Sequence, residues 1–235
     1  LEYVTGPWNE YGIAKGNLRA GLLPPYSGEY DNDKWKNSNG AWIRTEIWAC
    51  LFPGAPELAV RYAYKDACGD HGMGEGTAAA MFVAALESAA FAETDIRKLI
   101  DGALSYAPEK SRLVASVKKA IALYDAKTPF VDARNAIVAE TADLGWFQAP
   151  ANVSFAVLGL LYGEGDFKST MLHAINCGDD TDCTAATVGA LMGIMHGKAG
   201  IPSDWAEYIG DDIKSAAIDM SISYIYPRTC TELMH

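Results

Sequence analysis

The stretch GDDTDCTAATVGALMGIMHG, residues 178–197, crowds Asp179, Asp180 and Asp182 into four positions ahead of an apolar segment. Oxygen donors at this spacing suit hard cations such as Mg²⁺, Mn²⁺ or Ca²⁺. A helix N-terminus also favours carboxylates, because its unpaired N–H groups carry partial positive charge. A cap needs only one carboxylate, however, and Thr181 or Thr184 could serve. Several carboxylates at one buried helix end repel each other unless a cation lies between them. The residues alone leave a metal site and an acidic cap as equal alternatives. They exclude an EF-hand, whose later ligand positions and closing Glu are absent.

Three other places could do chemistry. Lys36, Asn37, Ser38, Asn39 and Gly40 form a polar turn. Its backbone N–H groups could hold phosphate oxygens, with Gly40 allowing close approach; the alternative is a solvated turn. Arg44, one helical turn further on, reads as a buried ion-pair partner rather than a substrate contact. His71 sits in the glycine-rich run DACGDHGMGEG and by itself reads as an ordinary loop histidine.

The elements that must position these residues are helices. ELAVRYAYKDAC follows Pro56, which suits a first helical turn. EGTAAAMFVAALESAAFAE is apolar nearly all round, as in a buried helix. Thr94 is placed to cap DIRKLIDGALSYA. Leu113, Val117, Ile121 and Tyr124 repeat with helical spacing. FVDARNAIVAETA, NVSFAVLGLLYG, DFKSTMLHAIN and the segment after the aspartates read the same way, and period-two runs are almost absent. Residues 19–40 form one long aromatic, Asn- and Gly-rich loop. Ala185, Gly189, Gly193 and Gly197 recur every four residues. Each interior glycine costs about 1 kcal/mol relative to alanine, so this stripe predicts a closely apposed neighbour and a central helix. The expectation is a single all-α domain over residues 1–235.

Composition sets the outer bounds. The chain has 235 residues, half of them hydrophobic, enough for one packed core. A net charge of −11 argues against a nucleic-acid surface, which needs concentrated Lys and Arg. Five scattered cysteines without a CxxC pair speak against a disulfide framework or structural zinc, and for a reducing, cytoplasmic setting. The longest apolar stretch, around Val153 to Tyr162, is too short to span a bilayer, so no membrane partner is expected. The chain begins at Leu1 without a signal-peptide pattern and ends abruptly at IYPRTCTELMH. It is therefore expected to be a fragment or a processed product.

GDDTDCTAATVGALMG followed by HGKAGIP resembles the closing metal-binding motif of the ADP-ribosylglycohydrolase family. NSNGAWIRTEIWAC (37–50) is similar to that family's N-G-x-x-x-R element. DACGDHGMGEGTAAAMFVAALESAAF (66–91) is similar to its His-containing loop and the buried helix behind it, and LLYGEGDF (160–167) fits the bacterial branches. The resemblance covers nearly the whole chain, in order.

The resemblance implies a compact orthogonal multi-helix all-α bundle with two Mg²⁺ ions in a cleft, Mn²⁺ being the alternative ion. It implies hydrolysis of the glycosidic bond at C1″ of ADP-ribose, with ADP-ribose or an ADP-ribosylated protein or small molecule as partner. Asp180 and Asp182 match metal ligands that also serve catalysis, Asp182 in the place that bridges both ions. The family often has a Thr ligand where this chain has Cys183, and a neutral thiol is a poor Mg²⁺ ligand. His71 matches the His that faces ADP-ribose. Asn37, Ser38, Asn39 and Gly40 match the turn that wraps diphosphate and ribose, and Trp35 and Tyr30 could stack on adenine. The family's G-D-x-x-G start and T-D-D-T run, which supply the remaining ligands, do not occur in the chain. The resemblance thus implies a missing N-terminal segment, with supply by a separate chain as one source of it. Two alternatives stand beside de-ADP-ribosylation: hydrolysis of another sugar or nucleoside conjugate on the same fold, and a non-catalytic binding or structural fragment.

Overall fold

A computed structural model describes residues 9–214 and 227–233. The chain ends, where truncation is expected, lie outside these residues. Among the described residues thirteen α-helices follow one another. They are α1 (Asn9–Arg19), α2 (Tyr26–Glu29), α3 (Glu46–Leu51), α4 (Pro56–His71), α5 (Glu75–Ala90), α6 (Ile96–Leu104) and α7 (Arg112–Asp125). Then come α8 (Phe130–Thr141), α9 (Ala149–Gly163), α10 (Phe167–Asn176), α11 (Thr181–His196), α12 (Ser203–Ile209) and α13 (Cys230–Leu233). The described residues contain no strand, only isolated bridges between Ser38 and Gln148 and between Asp212 and Thr229. The fold is all-α, as the helical periodicity predicts.

Two helices form the centre. Fourteen of the fifteen residues of α9 are buried, and thirteen of the sixteen of α5, so neither has a solvent face. α4, α6 and α7 pack around α5, and α7, α8 and α10 around α9. Phe82 from α5 and Phe155, Leu158 and Leu160 from α9 are fully buried in one continuous apolar core. Burial of apolar area at about 25 cal/mol per Å² is what holds such helices together, more than their intrinsic propensity.

Two local expectations change. Asp95, not Thr94, caps α6: its carboxylate accepts from the Lys98 N–H. An ionised oxygen at a helix N-terminus has charge as well as geometry in its favour. The glycine stripe of α11 is not a close-packing seam, and α11 is not the central helix. Beside a methyl placed at Gly189 only Met171 would lie within van der Waals range, and at Gly193 nothing lies within 4 Å. Gly197, with φ +64°, ends the helix. Ala185, Gly189 and Gly193 are half-exposed. The close approach occurs instead at Gly159 and Gly163 of α9, where a methyl would overlap the Ala174 methyl and the Thr170 hydroxyl and backbone of α10.

The segment 19–40, expected as one long loop, contains α2 and is ordered by asparagine amides on either side of that helix. Asn17 Nδ2 donates to the carbonyls of Ser27 and Tyr30 (2.9 and 2.8 Å). Asn32 Nδ2 donates to those of Gly28 and Asp70 (2.8 and 2.9 Å). The loop is thereby bound to the end of α4, and its tip, residues 35–40, is carried to the start of α5.

These contacts predict opposite signs for two similar substitutions. Gly163→Ala should destabilise by about 1–3 kcal/mol through overlap with α10. Gly193→Ala, in open space inside a helix, should stabilise by up to about 1 kcal/mol. Urea unfolding of both variants checks this.

Candidate active site

The three aspartates have different tasks. Gly178 and Asp179 both take positive φ, 78° and 61°, and turn the chain sharply before α11. The turn sends the Asp179 carboxylate back to accept the Phe147 N–H at 3.0 Å. Asp179 is thus a clasp between two loops. Asp180 stands at the N-cap position of α11, yet its side chain makes no capping hydrogen bond. Its Oδ2 accepts from Asn39 Nδ2 at 2.6 Å instead, and its backbone N–H donates to Asn152 Oδ1 at 3.2 Å. The capping alternative is therefore not what the side chain does. Asp182, two residues on, is exposed.

Donor atoms of Asp180, Asp182 and Cys183 lie within 4.8 Å of one another. Burial pushes the Asp180 carboxyl up; hydrogen bonds from Cys183 and Asn39 pull it down, and Asp182 raises it further. Burial and then the adjacent Asp180 and Asp182 push the Cys183 thiol well above its ordinary value, with Glu10 adding to the effect. The thiol therefore stays protonated and is a hydrogen-bond donor to Asp180 rather than an anionic ligand. Two adjacent carboxylates with no basic side chain among them are chemically suited to a hard cation. Asp180 and Asp182 fit one as ligands; Cys183 fits it poorly.

The polar turn reaches the same spot from the other side. Asn37 Oδ1 accepts the Glu75 N–H at the start of α5 (3.0 Å). Ser38 is fully buried, its Oγ 2.6 Å from the Trp35 carbonyl and 3.0 Å from Glu10 Oε2. Asn39, also fully buried, holds Asp180 with its Nδ2 while its Oδ1 accepts from the Trp42 indole at 3.0 Å. The Gly40 carbonyl accepts from Tyr11 Oη and Arg44 Nη1 (3.0 and 2.8 Å). Lys36 is occupied by Glu29 and Asp33 at 3.0 and 3.1 Å. Trp35 meets Phe147 edge-to-face, whereas Tyr30 is exposed.

His71 lies behind this turn. Its ring has no exposed surface and lies against Gly76, where a methyl would overlap it. Nδ1 is 2.7 Å from Asp70 Oδ1, and Nε2 is 3.3 Å from Ser38 Oγ. Arg44 completes the row as an ion-pair partner, with Nη2 3.0 Å from Asp70 and Nε 2.8 Å from Asp66. Burial pushes the Asp70 carboxyl up, but His71 and Arg44 outweigh it and hold the group below the ordinary carboxylate range.

Several residues here give no sequence signal of their own. Glu10 is a buried acid in a short helix, and Asp70 lies in an ordinary amphipathic one. Asn152 had a faint signal, as the one amide in the apolar α9.

A family model described as ADP-ribosylglycohydrolase matches residues 4–229. The chain belongs to this family. Over 54 residues it is 37% identical to the ADP-ribosylarginine hydrolase Tri1 of Pseudomonas putida (strain GB-1), a match covering 23% of this chain and 15% of that protein. Over 73 residues it is 28% identical to the ADP-ribosylarginine hydrolase Tri1 of Serratia proteamaculans (strain 568), covering 31% of this chain and 20% of that protein. The matched stretches span a fifth or less of these curated relatives. Among the described residues no helix is long and apolar enough to cross a membrane.

The Asp70 ion pairs carry a pH signature. A carboxyl depressed on folding stabilises the native state above its unfolded value, near 3.9. That contribution is complete above about pH 5 and is lost as pH falls through the folded value. Asp70→Asn should be less stable at neutral pH and should show a flatter loss of stability on acidification, measured by urea unfolding from pH 7 to pH 3.

Proposed function

We propose that this chain carries part of the active site of a Mg²⁺-dependent hydrolase that cleaves the glycosidic bond of ADP-ribosylated substrates, with ADP-ribosyl-arginine first among them. The observation that carries the proposal is the N-terminus of α11, where Asp180 gives up capping for a bond to Asn39 and stands beside Asp182. Family membership supplies the reaction class, and the names of the two relatives supply arginine as the acceptor.

In this reading Asp180 and Asp182 hold the cation. Bound there, Mg²⁺ would orient ribose hydroxyls and a water and offset developing charge as a Lewis acid. Asn39 fixes the rotamer of Asp180 and favours its ionised form by donating to Oδ2. Asp182, exposed, is the carboxylate with an open side toward substrate and water. The Lys36–Gly40 turn would lie along the diphosphate. Its side chains are committed to Glu29, Glu75, Glu10 and Asp180, and the N–H groups of Lys36 and Ser38 to the carbonyls of Asn32 and Trp35, which leaves at most the N–H groups of Asn37, Asn39 and Gly40 for phosphate oxygens. His71 would support this turn from behind, since Ser38 stands between its ring and the Asp180 side of the site.

The test is turnover of ADP-ribosylated arginine by the full-length protein, with plain nucleosides and glycosides as competitors. Release of ADP-ribose that requires Mg²⁺ and stops with EDTA is the expected result. Asp182→Asn should lower kcat/KM by more than the roughly 10–100-fold typical of residues that only support a metal ligand. Unchanged turnover in that variant would remove Asp182 from the mechanism, and turnover only of a nucleoside would replace the substrate.

A further inference from the structure

The first turn of α1 grips the polar turn on both sides of Asn39. Glu10 is 2% exposed, unusual for an acid so near the start of a short helix. Its Oε2 is 3.0 Å from Ser38 Oγ, the residue before Asn39. Its Oε1 lies against the Cα of Gly40, the residue after, where any side chain would overlap it. Tyr11, next along the helix, donates from Oη to the Gly40 carbonyl at 3.0 Å. Arg44 Nη1 donates to the same oxygen at 2.8 Å. Residues 38 and 40 are thus fixed from consecutive positions of one helix. Asn39 between them has both ends of its amide used, Oδ1 by Trp42 and Nδ2 by Asp180.

We propose that Glu10 and Tyr11 form a positioning clamp that sets the Asn39 amide on the Asp180 carboxylate, so that α1 governs the cation affinity of a site it does not touch. The cation part rests on the function proposed above; the clamp part does not. A buried acid that makes no ion pair is costly, even with His71 near enough to favour its charge. Here its cost is offset by holding the Ser38 hydroxyl, and its two contacts, with Ser38 and Gly40, flank Asn39. Removing a residue that orients a metal ligand characteristically costs about 10–100-fold in metal affinity.

The clamp has a reporter in the Trp42 indole N–H, which donates to Asn39 and shifts if that amide turns. The experiment records ¹⁵N–¹H spectra of the tryptophan indoles and calorimetric titrations with Mn²⁺ alone. The proteins are wild type, Glu10→Ala, Glu10→Gln, Tyr11→Phe and, as the reference for a lost amide, Asn39→Ala. Glu10→Ala should move the Trp42 peak toward its Asn39→Ala position and raise the Mn²⁺ Kd about tenfold, while the Trp205 peak stays in place. Glu10→Gln, which can still bond Ser38, should restore both values. Tyr11→Phe should shift both in the same direction by less. Folded Glu10→Ala and Tyr11→Phe proteins with a wild-type Trp42 peak and a wild-type Mn²⁺ Kd would overturn the clamp. Should Glu10→Ala not fold, Tyr11→Phe, which loses a single hydroxyl, decides by the same two readings. A wild-type protein that binds no Mn²⁺ would sink the metal reading, and the Trp42 peak would still decide the clamp.

Discussion

One hydrogen bond joins the two ends of this site. Asn39 and Asp180 are 141 residues apart in sequence, and their side chains meet at 2.6 Å in a buried place. A neutral donor to an ionised acceptor makes a bond about twice as strong as a neutral pair. The bond also redirects Asp180. A carboxylate at a helix N-cap ordinarily turns inward to the N–H groups of its own first turn. Here it is drawn out toward the opposite loop, and Asp182 comes to lie beside it. The rest of the fold keeps the two partners at this distance. α9 places Asn152 under the Asp180 N–H, α5 receives Asn37 at its N-terminus, and α1 holds the residues flanking Asn39.

Behind this contact runs a row of charge that is half-buried at Arg44 and Asp66 and buried at Asp70 and His71. Arg44 spans Asp66 and Asp70, one helical turn apart on α4, and also reaches the Gly40 carbonyl. A planar guanidinium can bond in all these directions at once, which an ammonium cannot. Asp70 then orients His71, and His71 meets Ser38. In a low-dielectric interior such a chain is stiff when every member is partnered and costly when one is removed. The arrangement of Ser38, His71 and Asp70 looks like a hydrolytic triad, but all three are buried. The Ser38 oxygen is surrounded by Glu10, Trp35 and His71, so it is a structural hydroxyl and not a nucleophile.

The parts of this design that were legible in sequence are those with a local pattern. Helical periodicity gave the all-α class and most helix bounds, and the Asp-Thr-Asp run pointed to the cluster at α11. Asn39 was legible as part of a turn, though its partner was not, because nothing local couples positions 141 apart. Glu10 and Asp70 were opaque for a similar reason. A lone acid in a helix is as common on a wet surface as in a core, and only tertiary packing distinguishes them. The glycines misled because spacing shows which residues share a face and not what covers that face. Gly193 faces open space and Gly189 meets only the Met171 side chain, while Gly159 and Gly163, equally spaced in α9, meet α10 directly.

The two carboxylates of the cluster differ in a way that assigns them different work. Asp180 is buried and its Oδ2 is held by Asn39, so its position barely depends on what else is present. Asp182 is exposed and lies on a half-exposed face of α11 with Ala185 and Gly189, side chains too small to screen it. A fixed ligand defines where a cation would sit, and a free one can turn to meet it. Cys183 sharpens the difference. As a neutral thiol it adds a donor to Asp180 and adds no charge. A thiolate there would bring soft ligand character and a third negative charge. With a neutral thiol the cluster holds two carboxylates, one anchored to the fold by Asn39 and the other open to solvent.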